Sequence, residues 1–280
     1  MPKPDVLVVD DDLEVLKFYR KIFSASSAHE LDILGSGLGG GFGVAAGCLA
    51  YSDPTALVAD YRKMVEGGKH LPLCIVDMRM PQQNGLTTAE QLREIDPEIE
   101  IVISTAAGDF TAEEIRRRLG ERVFFVHKPF NAGEFALMVQ ALIDSWEDRR
   151  ELRQQTAFLT SLLEASHDLI FMKGKDGVYL TCNKRFAEFA KCERQKIIGG
   201  TDYDFLPPEV CAAFREQDRQ VIDSGNSFTY RETVEHPDGG PCLLETIKSP
   251  VVSDQGEILG ILGVSRDISR RGGDDAEVTI

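Results

Sequence analysis

Five short apolar runs, each separated from the next by a helix-like stretch, constrain this chain more than any other feature. The runs are Val6–Val9, Leu31–Leu34 or a segment a little later, Leu73–Val76, Ile101–Ser104 and Val123–Val126. Most are apolar at nearly every position, so neither face of such a strand can be left to water. Between them, Leu13–Phe23, Thr55–Glu66, Thr87–Glu94 and Ala112–Leu119 read as helices. Strands alternating with helices predict a parallel sheet covered on both faces. In such a sheet functional groups gather beyond the carboxyl ends of the strands.

Those ends carry complementary chemistry. VLVV runs into Asp10, Asp11 and Asp12, LCIV into Asp77, IVIS into Thr105, and FFVH into Lys128–Pro129. Clustered carboxylates repel one another, and a hard divalent cation such as Mg2+ relieves that repulsion. A carboxylate at such a place can attack phosphorus, while a hydroxyl and an ammonium neutralise the transferred oxygens.

The stretches VLVVDDD, IVDMRMPQQNG, ISTA and VHKPF resemble the response-regulator receiver family over roughly Asp5 to Ala141. The resemblance implies a five-stranded, flavodoxin-like parallel sheet. By the match, Asp77 is the phospho-accepting aspartate. Asp11 is a direct Mg2+ ligand, Asp10 its water-mediated companion, and the backbone carbonyl of Arg79 a further ligand. Thr105 falls at the switch hydroxyl, with small Ala106 leaving room for phosphate. Lys128 falls at the family's lysine and Phe125 at its aromatic switch position. The implied partner is a sensor histidine kinase or phosphotransfer protein. Two departures stand out: Asp11 and Asp77 lie 66 positions apart, longer than the family's usual spacing, and Arg79 places a long cation beside the acceptor.

No Gly other than Gly133 and no Pro occurs from Ala132 to Ser166, which predicts one long helix running out of the first domain as a linker. Trp146, Leu152, Leu159, Leu162 and Leu163 form an apolar stripe interrupted by Arg149 and Gln155. The stripe fits either a weak coiled coil, and so a homodimer, or a helix packed on its own domains. Beyond it, DLIFMK and GVYLTC alternate around a glycine turn. Helical pieces (Lys184–Ala190, Glu209–Asp223) and three further strand-like runs (Ser227–Val234, Cys242–Lys248, Ile258–Ile268) follow. This order predicts an α+β domain with an antiparallel sheet. DLIFMKGKDGVYLTCNKRFAEFA, IIGGTDYDFLPPE, FREQDRQVIDSG and GILGVSRDIS resemble a PAS domain. Its ligand is unknown. Glu209–Asp223 offers no histidine for haem, and Cys182, Cys192 and Cys211 lack a flavin photoreceptor's context. Asp202 and Asp204 are read as helix caps, the alternative being ligand contact. His167 and His236 are assigned to the surface.

The expected division is therefore a receiver over 1–141, a linker helix over 142–167, a PAS domain over 168–271 and a disordered tail over 272–280. With a net charge of −15, nucleic acid and anionic membrane surfaces are not expected partners. Six scattered cysteines without C-x-x-C spacing, and no signal peptide or membrane-length apolar run, point to the cytoplasm.

The sequence LGSGLGGGFGVAAG contains G-x-G-x-x-G at Gly35, Gly37 and Gly40. It does not follow the first strand, and no free acidic strand end lies about twenty residues on, so a dinucleotide loop is not expected. Segment 35–51 is read as an insertion between the second strand and the second helix, with Cys48–Tyr51 as an alternative second strand. The overall reading is a response regulator and not an enzyme. Its alternatives are the regulatory part of a longer hybrid histidine kinase or cyclic-di-GMP enzyme, or an aspartyl-phosphate phosphatase using Asp10-x-Asp12. Gly272-Gly273-Asp274-Asp275 is taken as a chance likeness to a cyclase signature, and Glu14 departs from the phosphatase pattern.

Overall fold

A computed structural model describes residues 3–24, 44–106, 112–206, 208–235 and 239–269. Leu31–Leu34, the G-x-G-x-x-G triplet, His236 and the tail lie outside them. The chain divides into two compact units, Met1–Arg153 and Gln154–Ile280.

In the first unit the strands are β1 (Asp5–Val9), β2 (Gly47–Tyr51), β3 (Leu73–Asp77), β4 (Glu100–Thr105) and β5 (Val123–His127). They form one parallel sheet in the order β2-β1-β3-β4-β5. The helices are α1 (Leu13–Ser24), α2 (Pro54–Glu66), α3 (Gly85–Ile95), α4 (Ala112–Leu119) and α5 (Ala132–Ala165). Alternation within each strand sends neighbouring side chains to opposite faces. Val6, Val8, Ile75 and Val102 meet Tyr19 and Ile22 of α1 and Phe135 and Val139 of α5. Leu7, Val9, Cys74, Val76, Ile101 and Ile103 meet Leu57 of α2, Leu86 and Leu92 of α3, and Ile115 of α4. Each fully buried Leu, Ile or Val contributes roughly 1.5–3 kcal/mol.

The second strand is the later segment: Gly47–Tyr51 pairs residue for residue with Asp5–Val9. The glycine stretch therefore precedes the second strand in sequence, and the insertion does not separate that strand from the second helix. The second helix follows β2 after two residues, capped by Asp53, whose side chain accepts Thr55 N–H, with Pro54 in its first turn.

In the second unit β6 (Leu169–Gly174), β7 (Tyr179–Cys182), β8 (Phe228–Glu235), β9 (Pro241–Val252) and β10 (Ile258–Asp267) pair antiparallel in the order β7-β6-β10-β9-β8. Helices α6 (Lys184–Phe189), α7 (Arg194–Ile197) and α8 (Pro208–Ser224), with a 3-10 turn at Asp202–Asp204, pass between β7 and β8. The short α7 and the 3-10 turn were not among the helical pieces foreseen from the sequence. Gly263 on β10 is required by packing, since a Cβ there would lie 2.1 Å from the Phe171 ring.

Candidate functional site

Parallel pairing brings the ends of β1, β3, β4 and β5 to one edge. Asp10 and Asp77 are buried, and the Lys128 ammonium sits between them, donating to Asp10 Oδ2 at 2.6 Å and Asp77 Oδ1 at 2.5 Å. The second oxygen of each carboxylate is held by backbone: Asp12 N–H donates to Asp10 Oδ1 at 3.0 Å, and Arg79 N–H to Asp77 Oδ2 at 2.8 Å. Burial pushes the Asp10 carboxyl above its ordinary range, against the pull of Lys128. Burial also works against the Lys128 ammonium, but hydrogen bonds to Asp10 and Asp77 outweigh it and raise its pKa.

Asp11 is exposed at the same edge. Asp12 accepts Glu14 N–H at 2.8 Å and so caps the start of α1. The Thr105 hydroxyl donates to the neighbouring Ala106 carbonyl at 2.9 Å, Ala106 is exposed, and Phe125 is half-buried against the core. Arg79 is exposed, its N–H on Asp77. Lys128–Pro129 is a cis peptide.

The structure thus brings Asp10, Asp77 and Lys128 together directly and sets Asp11, Arg79 and Thr105 on the surrounding loops and strand end. Among the described residues no three His, Cys, Asp or Glu side chains already surround one point as a metal cage. The donor set nonetheless suits a hard cation: two carboxylates converge on one positive charge, which the ammonium supplies.

Sequence reasoning missed Gly85. A Cβ there would lie 2.2 Å from the Asp77 carbonyl oxygen, so the α3 N-terminus can approach the acceptor strand only with glycine. The Asn-Gly pair at Asn84–Gly85 was the available signal, and Asn84 caps α3 by accepting Thr87 N–H.

A second polar cluster lies inside the other unit. Lys173 and Lys248 are almost wholly buried, as are Asp202 and Asp218. Lys173 donates to Asp202 at 2.5 and 2.7 Å and lies 3.3 Å from Asp218, while Lys248 donates to Asp218 at 2.6 Å. The Tyr179 hydroxyl donates to Asp202 at 2.7 Å, and burial with the nearby Asp202 carboxylate drives the phenol far up. Burial holds Lys248 below its ordinary pKa despite Asp218. Asp204 caps as expected, accepting Thr201 N–H at 2.7 Å. Asp202 does not cap: it is an ion-pair partner. His167 is exposed, and Cys182 and Cys211 are buried.

The chain thus folds as a parallel five-stranded α/β unit with acids and a lysine at its carboxyl edge and a five-stranded antiparallel α+β unit. Family comparison agrees: residues 53–140 match the response regulator receiver domain and residues 163–272 the PAS fold. The chain carries a receiver domain followed by a PAS domain, as in two-component signalling proteins. The receiver match begins after β1 and β2, so Asp10 and Asp11 lie before it. Receiver domains generally bind Mg2+ and interact with histidine kinases.

Among curated relatives, the Aerobic respiration control sensor protein ArcB of Escherichia coli is 31% identical over 118 residues, covering 42% of this chain and 15% of that protein. The Methanogenesis regulatory histidine kinase FilI of Methanothrix harundinacea is 26% identical over 176 residues, covering 61% of this chain and 20% of that protein. The chain thus spans a fifth or less of these two relatives. Among solved structures, a receiver domain protein of Methanospirillum hungatei shares 16% identity at a TM-score of 0.39, covering 52% of this chain and 98% of that one. The PAS domain of Bordetella pertussis BvgS shares 20% at 0.38, covering 42% and 89%. No helix among the described residues is long and apolar enough to cross a membrane.

Proposed function

We propose that this chain is a response regulator that accepts a phosphoryl group on Asp77 from a sensor histidine kinase or phosphotransfer protein and signals through α5 and the PAS unit in the cytoplasm. The observation that carries this reading is the Asp10–Lys128–Asp77 bridge at the carboxyl edge. An Asp77 carboxylate oxygen attacks phosphorus of a phosphohistidine. The new O–P bond forms as the P–N bond breaks, and the departing imidazole keeps the electron pair and takes up a proton. Asp10, Asp11, Asp77 and the Arg79 carbonyl are the residues that would hold Mg2+, which when bound supplies positive charge to the phosphoryl oxygens. Lys128, already on Asp77, supplies a second charge. Thr105 exchanges its local Ala106 bond for a phosphoryl oxygen, and Phe125 follows it inward past Ala106.

Acetyl phosphate with Mg2+ should add one phosphoryl group to the protein, and Asp77→Asn should remove essentially all of it by intact mass. Labelling of Asp10 instead of Asp77 would favour an aspartyl-phosphate phosphatase. The short span of the two histidine-kinase relatives covered by this chain favours a second reading, in which the same chemistry serves the regulatory part of a longer hybrid kinase. The length of the native reading frame separates the two.

A further inference from the structure

Strand β4 ends in Thr105, the proposed switch hydroxyl. Its other end carries a set of ion pairs that the phosphoryl chemistry does not use. Glu100, 2% exposed, accepts from Arg149 of α5. Glu98, just ahead of β4, accepts from Arg153 of α5 and, at 2.8 Å, from Arg122 at the start of β5. Both α5 arginines lie in the last five residues of the first unit, where the helix leaves it.

The attachment is specific: two carboxylates at one end of β4 meet two arginines of one helix. Arg149 also donates to Ser145 Oγ at 2.6 Å, so its guanidinium is shared between α5 and Glu100. Burial raises the Glu100 carboxyl above its ordinary range even with Arg149 beside it. Arg122 holds a left-handed backbone, φ 64°, and its carbonyl accepts from Ile101 N–H of β4 at 3.1 Å and Arg93 at 3.0 Å. The Arg149 and Arg153 side chains are 34 and 50% exposed, so water can take up either guanidinium when its carboxylate withdraws. β4 is hydrogen-bonded on both sides, to β3 and β5, so a shift at Thr105 is carried along it rather than absorbed.

We infer that Glu98 and Glu100 with Arg149 and Arg153 form a releasable clamp, which holds α5 on the receiver in the unphosphorylated state and opens when Asp77 is phosphorylated. The inference rests on the receiver reading of this unit. The closed clamp coexists here with Lys128 on Asp77 and Thr105 bonded to Ala106. Because coupling is reciprocal, weakening the clamp must favour phosphorylation.

The chain's one tryptophan, Trp146, lies three residues before Arg149 and is a native reporter. In the full chain, beryllofluoride with Mg2+, an acyl-phosphate mimic, should change Trp146 emission and speed amide exchange over residues 148–153. In Glu100→Gln and in Arg149→Gln that exchange should already be fast without the mimic. Both variants should bind beryllofluoride with Mg2+ about fivefold more tightly or more. The double variant should add little to either single one. A purely structural role would lower thermal stability but leave the mimic affinity and the mimic response as in wild type, and that result overturns the clamp. So does a wild type that binds the mimic and responds at Thr105 but not at α5. Failure of wild-type labelling would instead overturn the receiver reading itself.

Discussion

Asp96 shows how much a single buried side chain can organise. It is 2% exposed and lies 2.8 Å from His70 Nδ1 while accepting the Tyr61 hydroxyl at 2.8 Å and Glu98 N–H at 2.9 Å. Burial alone would raise its pKa, but these donors outweigh it and hold the carboxyl below its ordinary value. A carboxyl lowered by folding contributes stability that is complete above its unfolded value, about 3.9, and is lost as pH falls through the folded one. Denaturant unfolding of the first unit should therefore steepen in its loss below about pH 4. Asp96→Asn should flatten that loss and cost about 1–3 kcal/mol near neutral pH. An unchanged acid profile in the variant would mean that other carboxylates dominate. Nothing in the sequence marked Asp96, because its partners lie 26 and 35 positions away. Asp77, Asp10 and Lys128 were legible for the opposite reason: each follows an apolar run that had to be a strand, and parallel strands end at one edge.

At the scale of elements, the PAS sheet and α8 are joined by charge. Lys173 shares the inward parity of Leu169 and Phe171 on β6, and Lys248 that of Leu244 and Thr246 on β9. That parity went unread in the sequence, and their partners Asp202 and Asp218 come from the turn and helix between the strands, where no local pattern pairs them. Removing one member of a buried pair strands the other. Lys248→Met should cost the PAS unfolding transition about 3–5 kcal/mol, although Lys173 at 3.3 Å tempers the loss. Adding Asp218→Leu to it should recover part of that cost, since a packed apolar pair of similar volume is often close to neutral. A double variant as unstable as the sum of the singles would show that the pair does not act as a unit. The second strand was the least legible element. LDIL and CLAY are both short apolar runs, and CLAY is identified by its pairing with β1, while LDIL lies outside the described residues.

For the molecule as a whole, the long helix was readable from the absence of proline and its lone Gly133, but the fate of its apolar stripe was not. Trp146 is buried in the first unit, and Arg149 leaves the stripe to reach Glu100. Beyond them Leu152, Leu159 and Leu162 are 64, 59 and 54% exposed. Leu152 and Leu159 are two turns apart on one face, with Leu162 on the next turn, the spacing a parallel helix pair uses. Burying such a stripe against a second copy removes apolar surface from water, and Gln155 in the seam keeps the association weak and adjustable. Sedimentation at tens of micromolar, on the order of a weak interface, should show a monomer–dimer equilibrium. Leu152→Glu with Leu159→Glu should shift it to monomer, because charges in a seam are costly to desolvate. Phosphoryl uptake at Asp77 should survive in that variant, since neither leucine belongs to the acceptor edge. If clamp release frees the helix for pairing, beryllofluoride with Mg2+ should also strengthen the wild-type dimer and leave the double-glutamate variant unmoved. A wild type that stays monomeric in both states would confine α5 to a link within one chain.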